Sequence, residues 1–132
     1  MKIEIKHRFT GAVIFEHNIE NNSVALTVKA AIEANTNLRN ADLSNTNLRN
    51  ADLSNTNLRN ADLSDADFRN ADFRNADLSN ADFRNANLSD ADLSDADLSN
   101  AVGNKKELRS MQIDTYSIVF TDSILQIGCR RS

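Results

Sequence analysis

The chain has 132 residues with a formal net charge of −4; 40% of the residues are hydrophobic, 5% are aromatic, and proline and tryptophan are absent. This length predicts one domain, and so few aromatic residues would fill a conventional globular core poorly. The acidic balance argues against direct nucleic-acid binding. The chain has no apolar run long enough to span a bilayer, the start MKIEIKHR lacks the apolar stretch of a signal peptide, and the single cysteine, Cys129, cannot form an intrachain disulfide. We therefore expect a cytoplasmic protein without a membrane segment.

A β-hairpin is the first predicted element, formed by KIEIKHRF and AVIFEHNI. Pairing Phe9 with Val13 across a three-residue turn would place six apolar side chains on one face. These are Ile3, Ile5, Phe9, Val13, Phe15 and Ile19. His7 and His17 fall on the same face, where packed histidines are expected rather than catalytic bases, since no nucleophile accompanies them.

A short helix is predicted next, in the segment TVKAAIEAN. Thr27 is the expected N-cap, and Val28, Ala31 and Ile32 would form one apolar stripe. We expect the hairpin and this helix, residues 1–35, to cover the first turn of the structure that follows.

A five-residue repeat occupies the middle of the chain and runs from Thr36 to Asn100 without an insertion. The ten residues NTNLRNADLS occur three times in succession, and all thirteen five-residue units have Ala or Thr first and Leu or Phe third. On an α-helix five residues advance by about 500°, which would spread these apolar residues around the whole circumference. The period instead suits a chain that turns a corner after each unit, with Asn or Asp at the fifth position in the left-handed conformation. The predicted core consists of the third-position residues Leu38, Leu43, Leu48, Leu53, Leu58, Leu63, Phe68, Phe73, Leu78, Phe83, Leu88, Leu93 and Leu98.

This unbroken run of units of the form A(D/N)LXX resembles the pentapeptide-repeat proteins. The resemblance implies an all-β solenoid, namely a right-handed quadrilateral β-helix with four units per turn, over residues 36–103. Thr36, Thr46 and Thr56 depart from the small first residue of the family. We expect their hydroxyl groups either to donate to a backbone carbonyl of an adjacent coil or to carry a free-energy cost of burial.

Four units per turn would stack residues twenty apart at the strand spacing of about 4.8 Å. We number the four sides from the units that begin at Thr36, Ala41, Thr46 and Ala51. Sides two and four each carry four aspartates against one arginine, a balance of −3, whereas sides one and three are neutral. The candidate acidic binding surface comprises Asp42, Asp62 and Asp82 on side two and Asp52, Asp72, Asp92 and Asp95 on side four.

A second hairpin is predicted within residues 104–132, in TYSIVFTDSILQIGC, with Asp122 and Ser123 at its turn. In this register Tyr116, Ile118 and Phe120 lie opposite Cys129, Ile127 and Leu125. The resulting apolar face would either cover the last coil or join a second copy in a homodimer. Its candidate residues are Tyr116, Ile118, Phe120, Leu125 and Ile127.

The sequence offers no catalytic constellation, no metal site and no cofactor motif. We expect a non-enzymatic scaffold that presents flat, charge-patterned faces to a protein partner whose identity the sequence does not give. The alternative is a DNA-mimicking modulator of a type II topoisomerase, because the resemblance includes pentapeptide-repeat proteins of quinolone resistance. The thirteen units, divided by four, make 3.25 turns. That is only about 16 Å of solenoid, which is short for such mimicry.

Overall fold

A computed structural model describes residues 1–103, 117–120 and 125–128 of the chain. In chain order the elements are β1 (Lys2–His7), β2 (Val13–Asn18), α1 (Val24–Glu33), β3 (Ala41–Asp42), β4 (Asp82–Phe83), β5 (Ala101–Gly103), β6 (Ser117–Phe120) and β7 (Leu125–Gly128). The strands form two sheets, with strand orders β2-β1-β3 and β4-β5-β7-β6.

Parallel bridges join the second positions of units that lie twenty residues apart. Each of the four sides has such a column; the one on side two runs through Asp42, Asp62 and Asp82, and the one on side four through Asp52 and Asp72 to Asp92. Backbone hydrogen bonds follow the same register, for example from Asp72 N to Ala51 O at 2.9 Å. This is the register predicted for four units per turn.

The corners between sides are made by the fifth residue of each unit. From Asn40 to Asn100 these asparagines and aspartates all have φ between 56° and 61°. Asn and Asp tolerate this left-handed conformation better than other residues with a Cβ atom. The prediction of left-handed corners is confirmed.

The interior is filled by the predicted third-position residues, all thirteen of which are at most 2% exposed. Phe68, Phe73 and Phe83 form a cluster of edge-to-face rings with centroids 5.2 to 6.3 Å apart. Every first-position alanine of the repeat is also buried except Ala51, which is only partly buried. The first-position threonines Thr36, Thr46 and Thr56 are likewise only partly buried.

Two of the three threonine hydroxyl groups, those of Thr46 and Thr56, donate hydrogen bonds to a carbonyl of the preceding unit. Thr46 Oγ1 donates to Leu43 O and Thr56 Oγ1 to Leu53 O, each at 2.6 Å. The expectation of a carbonyl in an adjacent coil was wrong, because the carbonyl three residues earlier lies within reach across the corner. Carbonyls that point between coils already accept backbone N–H groups, as Thr46 O does from Asp67 N.

The first hairpin forms, but in a register shifted by two residues from the predicted one. Ile5 lies opposite Phe15 and Ile3 opposite His17, so the pairing of Phe9 with Val13 was wrong. The cause is a longer loop closed on His7, whose backbone N–H donates to Ala12 O at 2.8 Å and whose Nδ1 accepts N–H groups of the loop. Phe9 is consequently 71% exposed instead of packing on the apolar face.

Helix α1 begins earlier than predicted. Its N-cap is Ser23, whose hydroxyl accepts from Leu26 N, whereas Thr27 is buried within the helix and donates to Asn22 Oδ1 and Ser23 O. The predicted stripe is largely present, since Val28 and Ala31 are buried in the core.

Strands from both ends of the chain attach to side two. Strand β1 pairs antiparallel with β3, placing Lys6 opposite Asp42, and β7 pairs antiparallel with β5. Strands β6 and β7 have the predicted register, with Ile118 opposite Ile127 and Phe120 opposite Leu125. Tyr116, Cys129 and the predicted turn at 122–123 lie outside the described residues.

Candidate interaction surface

Second-position aspartates on sides two and four stand in adjacent rungs, as the sequence predicted. Asp95 lies at an exposed corner of side four with φ of 58°. The candidate surface therefore has two parts, and their local partners decide how much charge each part presents.

In units that have serine at the fourth position, the second-position carboxylate is held by its own unit. Asp52 Oδ1 accepts from Ser54 N at 3.0 Å and from Ser54 Oγ at 2.5 Å. Asp92 does the same, and the hydrogen bond from the Ser94 hydroxyl lowers the pKa of its carboxyl. These bonds fix the orientation of both carboxylates. Serine carries no charge, and Asp92 Oδ2 lies 3.9 Å from Arg74 Nε, so only Asp92 of the two has a cation within ion-pair distance in the part of the chain that the structure describes.

Units with aspartate at the second position and arginine at the fourth pair their charges internally. Each of these arginines forms an ion pair with the aspartate two residues earlier. The distances from Nη2 to Oδ2 are 2.5 Å for Arg69, 2.6 Å for Arg74 and 2.5 Å for Arg84. The hydrogen bonds from Arg69 and Arg74 lower the pKa values of Asp67 and Asp72. Counting charges by side missed this pairing, although the spacing Asp-x-Arg is visible in the sequence.

Asp82 does not belong to the binding surface, contrary to the sequence-based prediction. It is 5% exposed. Burial raises the pKa of its carboxyl, but the hydrogen bonds and charge of Arg84 outweigh burial, and the pKa is lowered overall. A carboxylate so covered and paired has little capacity to meet a partner.

The N-terminal hairpin adds positive charge to side two. Arg8 Nη1 donates to Asn60 O at 3.0 Å, and Nη2 lies 3.8 Å from Asp62 Oδ2. Arg8 thus offsets part of the acidic balance of this side, whereas the Lys6 ammonium lies 3.5 Å from Glu4 of its own strand. On side four Arg74 Nε lies 3.9 Å from Asp92 Oδ2, and Asp52 and Asp95 form no ion pair in the part of the chain that the structure describes. Side four gains no cation from the hairpin and keeps the larger negative balance.

A groove lies beside the start of side four, between α1 and the first repeat coil. We call it the side-four groove; it has a volume of about 460 Å³. Apolar side chains of α1 line one wall, including Leu26, which is 42% exposed, while Ala51 and Asp52 lie on the other. The charged residues Lys29, Glu33 and Arg49 also line the groove. The groove was not foreseen, because it depends on how α1 lies on the first coil.

The two histidines show no arrangement for base catalysis. His7 Nδ1 accepts from Phe9 N at 3.2 Å and from Thr10 N at 3.3 Å. His17 Nδ1 is buried and has no hydrogen-bond partner among the described residues. Within the same residues the structure has neither a metal-ligand cluster nor a helix long and apolar enough to cross a membrane.

Comparison with known protein families identifies the same repeat that is visible in the sequence. The family model for pentapeptide repeats matches residues 34–70 and 66–102, with eight copies. A search of curated proteins found no match.

Three solved structures of pentapeptide-repeat proteins are similar to this chain. Rfr23 from the cyanobacterium Cyanothece 51142 is 36% identical, with 55% of this chain and 50% of that chain covered and a TM-score of 0.38. A protein from the thylakoid lumen of Arabidopsis thaliana is 34% identical, with coverages of 46% and 45% and a TM-score of 0.29. Alr5209 from Nostoc is 28% identical, with coverages of 70% and 77% and a TM-score of 0.34. The chain thus spans about half the length of the first two relatives.

Proposed function

The chain belongs to the pentapeptide-repeat family, and we propose that it is a non-enzymatic scaffold that binds a basic protein partner through side four. The observation that carries the proposal is the column of Asp52, Asp72 and Asp92 with Asp95 beside it, on a face that no cation of the N-terminal hairpin reaches. Charge complementarity of this kind steers association and selects partners.

The carboxylates suit recognition because their positions are fixed before a partner arrives. Asp52 and Asp92 are each held by two hydrogen bonds from their own unit, and the backbone beneath them is tied to the next rung. Binding through preorganised groups loses little conformational entropy.

The finer features of the fold belong to the same proposal. We expect a right-handed β-helix capped by the first hairpin and α1 at one end and by β6 and β7 at the other. Burial of Ile5, Val28 and Ala31 in the repeat core supports the first cap. A terminal coil without such cover would expose apolar residues and strand edges. The proposed location is the cytoplasm.

A charge-matched pair of variants tests the proposed face. The first variant carries Asp52→Asn, Asp92→Asn and Asp95→Asn on side four. The control carries Asp77→Asn, Asp90→Asn and Asp97→Asn on sides one and three. Each set alters two second positions and one corner, and Asn87 shows that asparagine can hold the same turn, accepting from Ser89 N at 3.1 Å.

Partner capture from the organism that encodes the protein gives the readout. We expect the control to retain the proteins bound by the unmodified chain and the side-four variant to lose them, with capture by the unmodified chain weakening as salt rises. Equal capture by both variants would reject side four as the binding face.

A second candidate function is modulation of a type II topoisomerase by DNA mimicry. The stacked carboxylates on two opposite sides favour it. The internal Asp–Arg pairs weigh against it, because they remove charge from a rod that is already short. Inhibition of gyrase supercoiling at micromolar protein, lost in the side-four variant, would place this function first.

A further inference from the structure

The same five residues, ADLSN, form the first rung of two opposite sides. They occupy 41–45 on side two and 51–55 on side four. On side two the outer edge of this rung is covered by strand β1, which pairs Lys6 with Asp42 and His7 with Ala41. Side four has an identical rung without that strand.

The ladder geometry shows which backbone groups of this rung face outward. Asp72 N donates to Ala51 O and Leu53 N donates to Asp72 O, so both groups of Asp72 point back towards the first rung. By the same geometry the N–H and C=O of Asp52 point away from the ladder. Neither has a backbone hydrogen-bond partner among the described residues, and Asp52 is exposed. An open edge of this kind is a template for a further strand.

The side-four groove runs beside this open edge. Its floor includes Ala51, the one first-position alanine that is only partly buried, and its wall includes the exposed Leu26. A volume of about 460 Å³ is enough for several side chains. An unpaired strand edge and an apolar groove thus coincide at one place.

We propose that this edge accepts an extended segment of a partner protein as an added antiparallel strand, with an aliphatic side chain in the side-four groove. Strand β1 shows how the identical rung is covered on side two. Its Ile5 is 1% exposed in the core and Arg8 Nη2 lies 3.8 Å from Asp62 Oδ2, whereas the Lys6 ammonium lies 3.5 Å from Glu4 of its own strand. On side four the groove lies at the corresponding place, and Asp72, the counterpart of Asp62, is paired with Arg74.

Two other arrangements fit less well. Antiparallel pairing of the edge with a second copy of itself would set Asp52 against Asp52, and directly opposed like charges are destabilising. The neighbouring rung on side three is TNLRN instead of ADLSN, so it does not repeat the rung that β1 covers. The inference rests on the proposed function and narrows it to one edge and one class of segment.

The peptide KIEIKHRF, residues 2–9 of the chain itself, is the probe. It is titrated into the isotope-labelled full-length protein, and amide shifts are followed by nuclear magnetic resonance. We expect saturable binding with the largest shifts at Ala51–Ser54 and in the facing residues of α1. Asp52→Lys and Leu26→Glu, which alter opposite walls of the groove, should each weaken binding at least tenfold. Asp97→Lys, a control at an exposed position on side one, should change it less than twofold, and a peptide with Ile5→Asp should not bind.

Three results would overturn the proposal. They are no saturable binding at millimolar peptide, shifts confined to 41–44 where the peptide would only replace β1, and equal weakening by Asp97→Lys and Asp52→Lys. None of these results affects the partner capture by the acidic face, so failure of the strand site and failure of the proposed function are separable.

Discussion

Left-handed corners make a sharp prediction about single substitutions. Asn75 has φ of 59° and an exposed side chain, and its N–H donates to Ser94 O at 3.1 Å, a bond that any residue other than proline can keep. In the variant Asn75→Ala the residue must still adopt the left-handed conformation, which alanine tolerates less well than asparagine. A residue with a Cβ atom costs roughly 1–2 kcal/mol there, and asparagine recovers part of this by local hydrogen bonding. We therefore expect Asn75→Ala to lower the free energy of unfolding by about 1 kcal/mol.

Asn75→Gly separates backbone strain from loss of the side chain. Glycine adopts positive φ without strain, although it costs about 0.5–1 kcal/mol in conformational entropy. The expected order of stability is Asn, then Gly, then Ala. Urea unfolding followed by circular dichroism measures it, and with a slope near 2 kcal/mol/M the alanine variant should shift the midpoint by about 0.5 M. Arg59→Ala, at an exposed position outside the left-handed set, is the control and should shift it little. An alanine variant at Asn75 as stable as the glycine variant would refute the reasoning.

Three further predictions concern the core, the ion pairs and the hairpin. Phe73→Ala should cost about 3–5 kcal/mol of unfolding free energy because the ring is fully buried in the aromatic cluster, and Phe73→Leu should cost clearly less; equal losses in a urea titration would contradict this. The folded pKa values of Asp67 and Asp72 are lowered below their unfolded values of about 3.9, so the stability they contribute is complete above that pH and is lost as pH falls through the folded pKa values. The variant Asp67→Asn/Asp72→Asn should therefore lose less stability between pH 6 and pH 3 than the unmodified chain, and an identical loss would contradict the role of the pairs. Arg8→Ala removes the bond to Asn60 O and should accelerate amide hydrogen exchange in β1 while leaving the repeat core protected; unchanged exchange in β1 would show that Arg8 does not hold the hairpin.

The repeat could be predicted from the sequence almost completely, for a physical reason. Each unit places one Leu or Phe inward and one Asn or Asp at a corner, and these two requirements recur thirteen times with no insertion to disturb the register. Because one turn contains four units, residues twenty positions apart then stack in columns. The corners at Asn40 and Asp95, for example, are determined by their own residue type.

Outside the repeat, the predictions depended on single local choices and were less accurate. The hairpin register depended on whether the loop closed at His7 or at Phe9, and the apolar pattern cannot distinguish registers two residues apart. The helix start depended on which of two hydroxyl residues, Ser23 or Thr27, capped it. Patterns of apolar residues identify such elements but do not place their ends.

The candidate surface was predicted in outline only. The two acidic columns follow from the repeat. Whether each carboxylate is exposed, buried or paired with a cation depends on its side-chain partners. Asp82 is buried under Arg84, and Arg8 comes from a distant part of the sequence. The open edge at Asp52 depends on which sides the hairpin and helix cover, and that is a property of the assembled fold.

Carboxylate footprinting of the protein with its captured partner bound tests the central claim most directly. Carbodiimide coupling of an amine to exposed aspartates, read by mass spectrometry, reports each carboxylate separately. We predict that the partner protects Asp52, Asp92 and Asp95 on side four and leaves Asp77, Asp90 and Asp97 on sides one and three as reactive as in the free protein. Protection of Asp77, Asp90 and Asp97 with side four still reactive would contradict the account.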